Sequence, residues 1–210
     1  MQYLPGLCFD FPKRQTTSYV VASEDGHIYE CSTSYNEQHL NAFKGHEGPV
    51  TSLRCSPFLP HVFLSCSNDF TVKLWSTANE EKKALLEFHS MDLFESVNDI
   101  CWSNTNSTTF ALVASDGRIE IWDLNRCKLN PILKYPNNLT DQEERLTLLF
   151  GNNDKCLVTG NKIGDVEIFK LNAMQQSELQ EGGKDEEEEA KRLYTIISKQ
   201  GDKVAQENES

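Results

Sequence analysis

Hydrophobic and polar residues alternate in short runs along the first 172 residues, and one arrangement returns four times. Its clearest copies are SEDGHIYEC, SNDFTVKLW, ASDGRIEIW and NKIGDVEIF, which begin at residues 23, 67, 114 and 161. Each copy has a polar turn followed by apolar side chains at every second position, the spacing of a half-buried β-strand. No helical period appears before residue 172. The pattern predicts an all-β fold.

Each copy closes on a bulky or sulfur-containing residue, and these closing residues recur every 44 to 47 positions: Cys31, Trp75, Trp122 and Phe169. Two apolar runs flank each turn, and further short runs precede and separate the copies. We therefore expect four short strands per unit, with a tight hairpin at Asp25-Gly26, Asp116-Gly117 and Gly164. Four strands every 40 to 50 residues is typical of a β-propeller blade. A β-sandwich is the alternative, but it does not require this spacing.

The second unit, FKGHEGPVTSLRCSP through FLSCSNDFTVKLW, resembles a WD repeat. The resemblance implies a hydrogen-bonded tetrad of four residues: His46, Ser65, Asp69 and Trp75. A buried imidazole and indole N–H need partners, and a turn carboxylate suits the imidazole, so we expect a structural role. Only this unit has all four residues. The third and fourth units are expected to rely on packing alone.

Three longer stretches resemble the last blades of dynein intermediate chains, more closely the axonemal type. The matching residues of the second unit are Pro57, Pro60, Val62, Phe63, Ser65, Cys66, Ser67 and Asp69. Ser107 to Ala111 and Trp122 to Asn125 add to the match, and the similarity covers roughly residues 1 to 172. The resemblance implies a propeller that holds the tail of a dynein heavy chain. Light chains bind a region that has no counterpart here.

The expected units are 1–44, 45–88, 89–134 and 135–172, followed by an acidic tail at 173–210. A complete propeller of the resembled family has seven blades, and the last unit here lacks an outer strand. We expect a partial propeller, the C-terminal portion of a longer chain. The alternative is a ring of four blades that closes on itself.

In the tail, Gly182-Gly183 and the acidic run 185–189 predict a solvated linker, and EEEEAKRLYTIIS shows a second pattern. Leu193, Ile196 and Ile197 have helical spacing, and acidic residues at the start with Lys199 near the end suit the helix dipole. This predicts a short helix that docks on the propeller or on a partner. Two alternatives are that RLYTIIS supplies the missing outer strand, or that the tail is mostly disordered.

Composition excludes several functions. The formal net charge of −12 argues against a nucleic-acid binder, which needs a basic face. No apolar run approaches the roughly 20 residues that cross a bilayer. Seven single cysteines without a C-x-x-C pair indicate reduced, buried thiols in a cytosolic protein. The scattered histidines form no metal-ligand spacing, so we expect no metal, no cofactor and no catalysis.

A binding module remains, and two loops carry apolar residues suited to an interface. The loop at 89–97 contributes Met91, Leu93 and Phe94, and the loop at 56–63, on the opposite face, contributes Phe58 and Leu59. Packing between blades is the alternative for each.

The family resemblance makes dynein heavy chain, a second intermediate chain and, through other subunits, light chains the expected partners. The expected setting is the cytoplasm and the ciliary or flagellar axoneme. The alternative function is a general WD-repeat adaptor that reads peptides in a ubiquitin-ligase or signalling complex.

Overall fold

Four antiparallel β-sheets account for most of the chain before its C-terminal helix. The computed structural model describes residues 5–13, 15–35, 37–136, 143–151, 153–171 and 185–207. Each sheet is a meander whose strands pair in chain order, and we call the sheets blades 1 to 4. The prediction of an all-β partial propeller is confirmed.

The strand bounds follow the repeat. Blade 1 contains β1 (Gly6–Asp10), β2 (Ser18–Ser23), β3 (His27–Ser32) and β4 (Asn41–Lys44). Blade 2 contains β5 (Val50–Cys55), β6 (Val62–Ser67), β7 (Val72–Ser76) and β8 (Leu86–Phe88). Blade 3 contains β9 (Val97–Trp102), β10 (Thr109–Ala114), β11 (Ile119–Asp123) and β12 (Leu133–Tyr135). Blade 4 contains β13 (Arg145–Gly151), β14 (Cys156–Asn161) and β15 (Val166–Lys170).

The innermost strands β1, β5, β9 and β13 contact one another in that order, and the blades form an open arc. The alternative of four blades that close on themselves is therefore wrong for this structure. Blade 4 has three strands among the described residues, as predicted.

Apolar side chains pack between successive blades. We call the side of a blade that faces the preceding blade its front face, and the side that faces the following blade its back face. Phe63 and Trp75 on the front face of blade 2 pack against Phe43 of blade 1, with ring centroids 5.3 and 6.0 Å from it. Phe110 and Trp122 repeat this pair on the front face of blade 3, where the two rings stack at 6.2 Å. Trp75 and Trp122, two of the closing residues of the repeat, therefore pack between blades.

The described residues of the tail form one long helix, α1 (Glu186–Glu207). Its Leu193 is fully buried in the core shared by blades 2 and 3, and Ile196 and Ile197 pack against the same core. The main-chain N–H of Ser107 donates to Glu189 Oε2 at 2.6 Å, and the Ser107 hydroxyl donates to the Glu189 carbonyl at 2.8 Å. The docked-helix prediction is thus correct.

The helix is longer than the predicted one, and Lys199 lies near its middle rather than its end. The alternative in which RLYTIIS forms the outer strand is wrong, because these residues lie within α1. Of the predicted solvated linker, Gly182-Gly183 lie outside the described residues. The prediction is wrong for the acidic run, because Glu186 begins α1 and Glu189 is buried. No helix in the described ranges is long and apolar enough to cross a bilayer.

All seven cysteines are free thiols, and the prediction that they are buried holds for two of them, Cys66 and Cys101. The other five are half-buried. Burial raises the pKa of Cys66 and of Cys101 far above the ordinary value, and it raises the pKa of Cys8 to about 11. A thiol with a raised pKa carries little thiolate near neutral pH, so these three side chains act as packing residues.

Candidate functional site

Blade 2 holds the predicted tetrad as one continuous chain of hydrogen bonds. His46 Nδ1 lies 2.8 Å from Asp69 Oδ2, and His46 Nε2 lies 2.7 Å from Ser65 Oγ. The Trp75 indole N–H donates to the same Ser65 oxygen at 2.8 Å. The chain links the turn before β7 to the last large residue of that strand, so it fixes the hairpin against the loop that enters the blade.

Asp69 is the acceptor at the outer end of this chain. Its carboxylate also accepts the Glu47 main-chain N–H at 3.0 Å and the Thr71 hydroxyl at 2.6 Å. Burial alone would raise the pKa of Asp69, but the hydrogen bond and charge of His46, together with Thr71 and Glu47, hold it well below the ordinary 3.8. Asp69 is therefore ionised at neutral pH.

Asp69, His46 and Ser65 are the residue types of a nucleophilic triad, but their setting excludes that chemistry. Ser65 and the His46 ring are fully buried, and the Ser65 oxygen already accepts the Trp75 indole N–H. A nucleophile must reach its substrate, and a donor array must face the developing oxyanion. The burial of Ser65 prevents both, so the tetrad is a structural element.

Blade 3 has a polar centre of its own, which the sequence reasoning missed. The fully buried Glu120 carboxylate accepts the Trp122 indole N–H at 3.0 Å and the Ser90 hydroxyl at 2.7 Å. Arg118 Nη1 lies 3.4 Å from Glu120, and Arg118 Nε donates to Asp116 Oδ2 at 2.6 Å. The expectation that blade 3 relies on packing alone is therefore wrong.

The Arg118 guanidinium lies beside the Glu120 carboxylate and compensates its negative charge. Burial alone would lower the pKa of the Arg118 guanidinium, but Asp116, Glu120 and Asp92 together raise it above the ordinary value. A buried carboxylate is stable only with such partners. The signal in the sequence was the run Asp116, Arg118, Glu120, Trp122, which places a carboxylate, a guanidinium, a carboxylate and an indole at alternate positions.

Blades 1 and 4 use simpler turns. In blade 1 the Asp25 carboxylate bonds the Ser23 hydroxyl and accepts the His27 main-chain N–H at 3.2 Å. In blade 4 the Asp165 main-chain N–H donates to Asn161 Oδ1 at 2.7 Å. The half-buried Phe169 ring packs 5.0 Å from Tyr135 and lies under the Arg145 guanidinium.

The turn glycines predicted from the repeat adopt left-handed backbone conformations. Gly26, Gly117 and Gly164 have φ of +80°, +81° and +98°. Phe70 takes the corresponding position in blade 2 with φ of +69°. Left-handed conformations are costly for residues with a Cβ, so the Phe70 turn depends on the hydrogen bonds around Asp69.

The loop between β8 and β9 exposes two of its three candidate partner-binding residues to solvent. Met91 and Phe94 are 84% and 69% exposed. Leu93 is 1% exposed and belongs to the core between blades 2 and 3, so its assignment as a contact residue is wrong. Asp92 is held by Lys134 at 2.5 Å and by Arg118 at 3.2 Å. Two anchored residues thus fix a loop that displays Met91 and Phe94.

The second candidate loop, at 56–63, exposes its apolar residues less. Phe58 and Leu59 are half-buried, and Leu59 packs against the core cluster that also receives Leu193, Ile196 and Ile197 of α1. The Leu59 side chain therefore serves packing within the chain, which was the alternative weighed for this loop.

Two aspartates tie neighbouring blades together, and sequence reasoning missed both. Asp99 of blade 3 accepts from Ser52 of blade 2 at 2.7 Å and from Thr147 of blade 4 at 2.8 Å. Asp154 of blade 4 accepts from Ser103 and Thr105 of blade 3 at 2.6 and 2.5 Å. Their partners lie 47 to 51 residues away, one repeat length, so only the folded arc reveals them.

These blades, turns and polar centres define a WD-repeat protein. The WD domain, G-beta repeat family model matches residues 37–76 and 83–123. Among solved structures, the computationally designed Ika4 protein is similar with a TM-score of 0.60 and 21% identity. The alignment covers 82% of this chain and 94% of that one, which supports the fold alone.

Similar proteins show to which group of WD-repeat proteins the chain is related. The chain is 39% identical over 170 residues to human Dynein axonemal intermediate chain 4, covering 81% of this chain and 19% of the relative. It is 32% identical to Dynein intermediate chain 2, ciliary, of Heliocidaris crassispina, over 79% of this chain and 23% of the relative. The flagellar outer-arm 78 kDa intermediate chain of Chlamydomonas reinhardtii is 29% identical over 91% of this chain and 28% of that protein.

This chain is a WD40-repeat protein homologous to dynein axonemal intermediate chains, and it aligns with a C-terminal part of them. It spans about a fifth to a quarter of the length of these relatives.

Proposed function

We propose that this chain is a non-catalytic scaffold portion of an axonemal dynein complex, in which its blades bind a dynein heavy chain. Its setting is the ciliary or flagellar axoneme, where it supports motility beside a second intermediate chain. Light chains join through other subunits. The observation that carries the proposal is the homology to intermediate chains over 81% of this chain.

A scaffold role agrees with the chemistry of the blades. The polar side chains that cluster in blades 2 and 3 bond buried indole N–H groups and stabilise turns, which is a structural use of these groups. Rigid sheets with short connections position loops, and loops are where such folds bind their partners.

The surface we assign to the partner is the loop between β8 and β9. Met91 and Phe94 form an exposed apolar pair on a connection anchored by Leu93 and Asp92. An anchored apolar pair loses little conformational freedom on binding, which favours affinity. At the opposite end of the blades, α1 already packs beside Ser107.

The test is capture of the full-length tagged chain from ciliated cells, with co-purifying proteins quantified by mass spectrometry. We expect dynein heavy chain and a second intermediate chain with the wild type, and a severalfold loss of heavy chain with Met91→Ser/Phe94→Ser. Leu129→Ser is the matched control, because Leu129 is equally exposed at the opposite end of blade 3.

Two results would contradict the proposal. Recovery of chaperones without any dynein subunit would show that this chain does not enter the complex. Recovery of a ubiquitin-ligase or signalling complex would instead establish the peptide-reading adaptor. If heavy chain binds equally to both variants, the complex assignment stands but the loop is not the contact.

A further inference from the structure

Helix α1 lies against the loops that join the first and second strands of blades 1, 2 and 3. In the blade 1 loop, Lys13 Nζ lies 3.6 Å from Glu186 Oε1. Leu59 of the blade 2 loop packs against the core cluster that contains Leu193, and Ser107 of the blade 3 loop hydrogen-bonds the helix. We call the surface formed by these three loops the α1 groove.

The blade 3 loop binds one acidic residue of the helix. The Ser107 main-chain N–H donates to Glu189 Oε2 at 2.6 Å, and the Ser107 hydroxyl donates to the Glu189 carbonyl at 2.8 Å. The loop is itself held by Thr108, whose N–H and hydroxyl donate to Asn106 Oδ1 at 3.0 and 2.9 Å. Glu189 is only 2% exposed, and a buried carboxylate is costly without such donors. The groove therefore selects a helix with an acidic residue at this position.

The apolar part of the groove binds the next two turns of the same helix face. Leu193 is fully buried in the core between blades 2 and 3, and Ile196 and Ile197 pack against that core. These residues follow Glu189 by four, seven and eight positions, the spacing of one helix face. Tyr194, the neighbour of Leu193, is 58% exposed on another side of the helix. The groove thus binds one carboxylate and one apolar stripe.

Helix α1 packs on the blades without belonging to a sheet. It follows blade 4 after residues 172–184, and Ser198 and Lys199 beyond the apolar stripe are exposed. An isolated helix of this length is marginal in water, so the contacts with the groove stabilise α1 as a helix. These contacts require only a helix with the right face, and they do not require that the helix be part of this chain.

We infer that the α1 groove is a docking site for an amphipathic helix of a partner protein, and that α1 occupies the site within this chain. The partner helix carries an acidic residue, a leucine four positions later, and aliphatic residues seven and eight positions after the acid. Because α1 and the groove belong to one chain, the effective concentration of α1 is high, and the partner must compete with it. The inference does not rest on the proposed function, since the β8–β9 loop lies at the other end of the blades.

The test uses a fluorescein-labelled peptide of residues 185–207 as the partner helix and measures its binding to the full chain by fluorescence anisotropy. Leu193→Asp in the full chain should release α1, and this variant should bind the peptide at least about tenfold more tightly than the wild type, whose groove is filled. Tyr194→Asp is the matched control, because Tyr194 is adjacent but exposed, and it should bind like the wild type. Near-UV circular dichroism checks that the blades of each variant are folded.

A second pair of peptides tests the selection of the acidic residue. Glu189→Ala in the peptide should weaken binding to the Leu193→Asp chain by at least about tenfold, because the Ser107 N–H loses a charged acceptor. Tyr194→Ala in the peptide is the control and should bind like the parent peptide. If the Leu193→Asp chain does not fold, Glu189→Ala in the full chain releases α1 in its place, and the parent and Tyr194→Ala peptides are then compared with the Leu193→Asp peptide.

Three results would overturn the inference. A folded chain with α1 released that does not bind the peptide would show that the groove is not a docking site. Equal binding to the wild type and to that variant would show that the peptide binds elsewhere. A wild-type dimer that Leu193→Asp converts to a monomer of 23.9 kDa would show that the helix of a second copy fills the groove.

Discussion

Blades 2 and 3 place a tryptophan at the same position and satisfy its indole N–H in different ways. In blade 2 the acceptor is the hydroxyl of Ser65, which His46 and Asp69 hold in place. In blade 3 the acceptor is the carboxylate of Glu120, which Ser90 and Arg118 support.

The two blades place the hydrogen-bond acceptor of the indole on different strands, the second strand in blade 2 and the third strand in blade 3. Leu112 of blade 3 stands where blade 2 has Ser65, and Lys73 of blade 2 stands where blade 3 has Glu120. Lys73 forms an ion pair with the half-exposed Glu87. The comparison teaches that the repeat fixes the aromatic packing and leaves the polar partner free to vary, provided that the buried indole has one.

The largest expected effect is the loss of the carboxylate in blade 3. Glu120→Ala leaves the Trp122 indole N–H and the Ser90 hydroxyl without their acceptor and removes one of the three acidic partners of Arg118. Removing one member of a buried pair costs about 3–5 kcal/mol. Urea denaturation followed by fluorescence measures the change in the free energy of unfolding.

Lys73→Ala is the matched control in blade 2, because Lys73 occupies the same position but pairs with an accessible carboxylate. The Lys73 side chain is itself buried, but its partner Glu87 remains in contact with water, so we expect a smaller loss of stability than from Glu120→Ala. Equal losses from the two variants would show that Glu120 is no more important than a charge whose partner reaches solvent.

The next effect is loss of the hydroxyl in blade 2. Ser65→Ala removes the partner of both the Trp75 indole N–H and His46 Nε2, and each unsatisfied buried group costs about 1–3 kcal/mol. Thermal unfolding in parallel with Ser76→Ala provides the comparison, since the Ser76 hydroxyl accepts a single main-chain N–H at 3.2 Å. A Ser65 variant as stable as the Ser76 variant would contradict the role of the tetrad.

A smaller effect distinguishes the hairpin turns. Gly164→Ala meets no neighbouring atom within 4 Å and carries only the cost of a left-handed residue, about 1–2 kcal/mol. Gly26→Ala has the same strain, and its Cβ would also lie 2.5 Å from the His46 carbonyl oxygen. Gly26→Ala should therefore lower the melting temperature more than Gly164→Ala. The reverse order would mean that blade 1 does not press its turn against blade 2.

The last effect appears only in acid and concerns the ionisation of Asp69. Its pKa in the folded chain is depressed, so the stability it contributes is complete above its unfolded value, near 3.8, and is lost as the pH falls toward the folded value. Asp69→Asn should flatten the acid side of the stability profile. If the variant and the wild type lose stability in parallel below pH 4, another carboxylate is responsible.

The fold could be predicted from the sequence because its signals are local. Strand alternation, the turn residues and the spacing of Trp75 and Trp122 all lie within one repeat. The tetrad also lies within one unit, which is why its four members could be named in advance. The partners of Asp99 and Asp154 lie one repeat away, and residue types alone do not pair them.

The predictions from sequence were wrong at residues that are buried by a neighbouring blade. Leu93 has the composition of a loop residue, but the core between blades 2 and 3 receives its side chain. Glu120 and Ser90 are 30 residues apart, and a charged residue inside a strand usually indicates an exposed position. The helix was predicted from its apolar spacing. Its contact between Glu189 and Ser107 could not be predicted, because the two residues are 82 positions apart.

The most direct test of the central claim, that one indole position is served by two different acceptors, is a pair of double-mutant cycles. One cycle combines Ser65→Ala with Trp75→Phe, and the other combines Glu120→Gln with Trp122→Phe, each measured by urea denaturation. We expect a coupling energy of about 0.5–3 kcal/mol in both blades, the range for residues in direct contact. Coupling in blade 2 with additive losses in blade 3 would show that Glu120 does not serve Trp122, and the claim would fail.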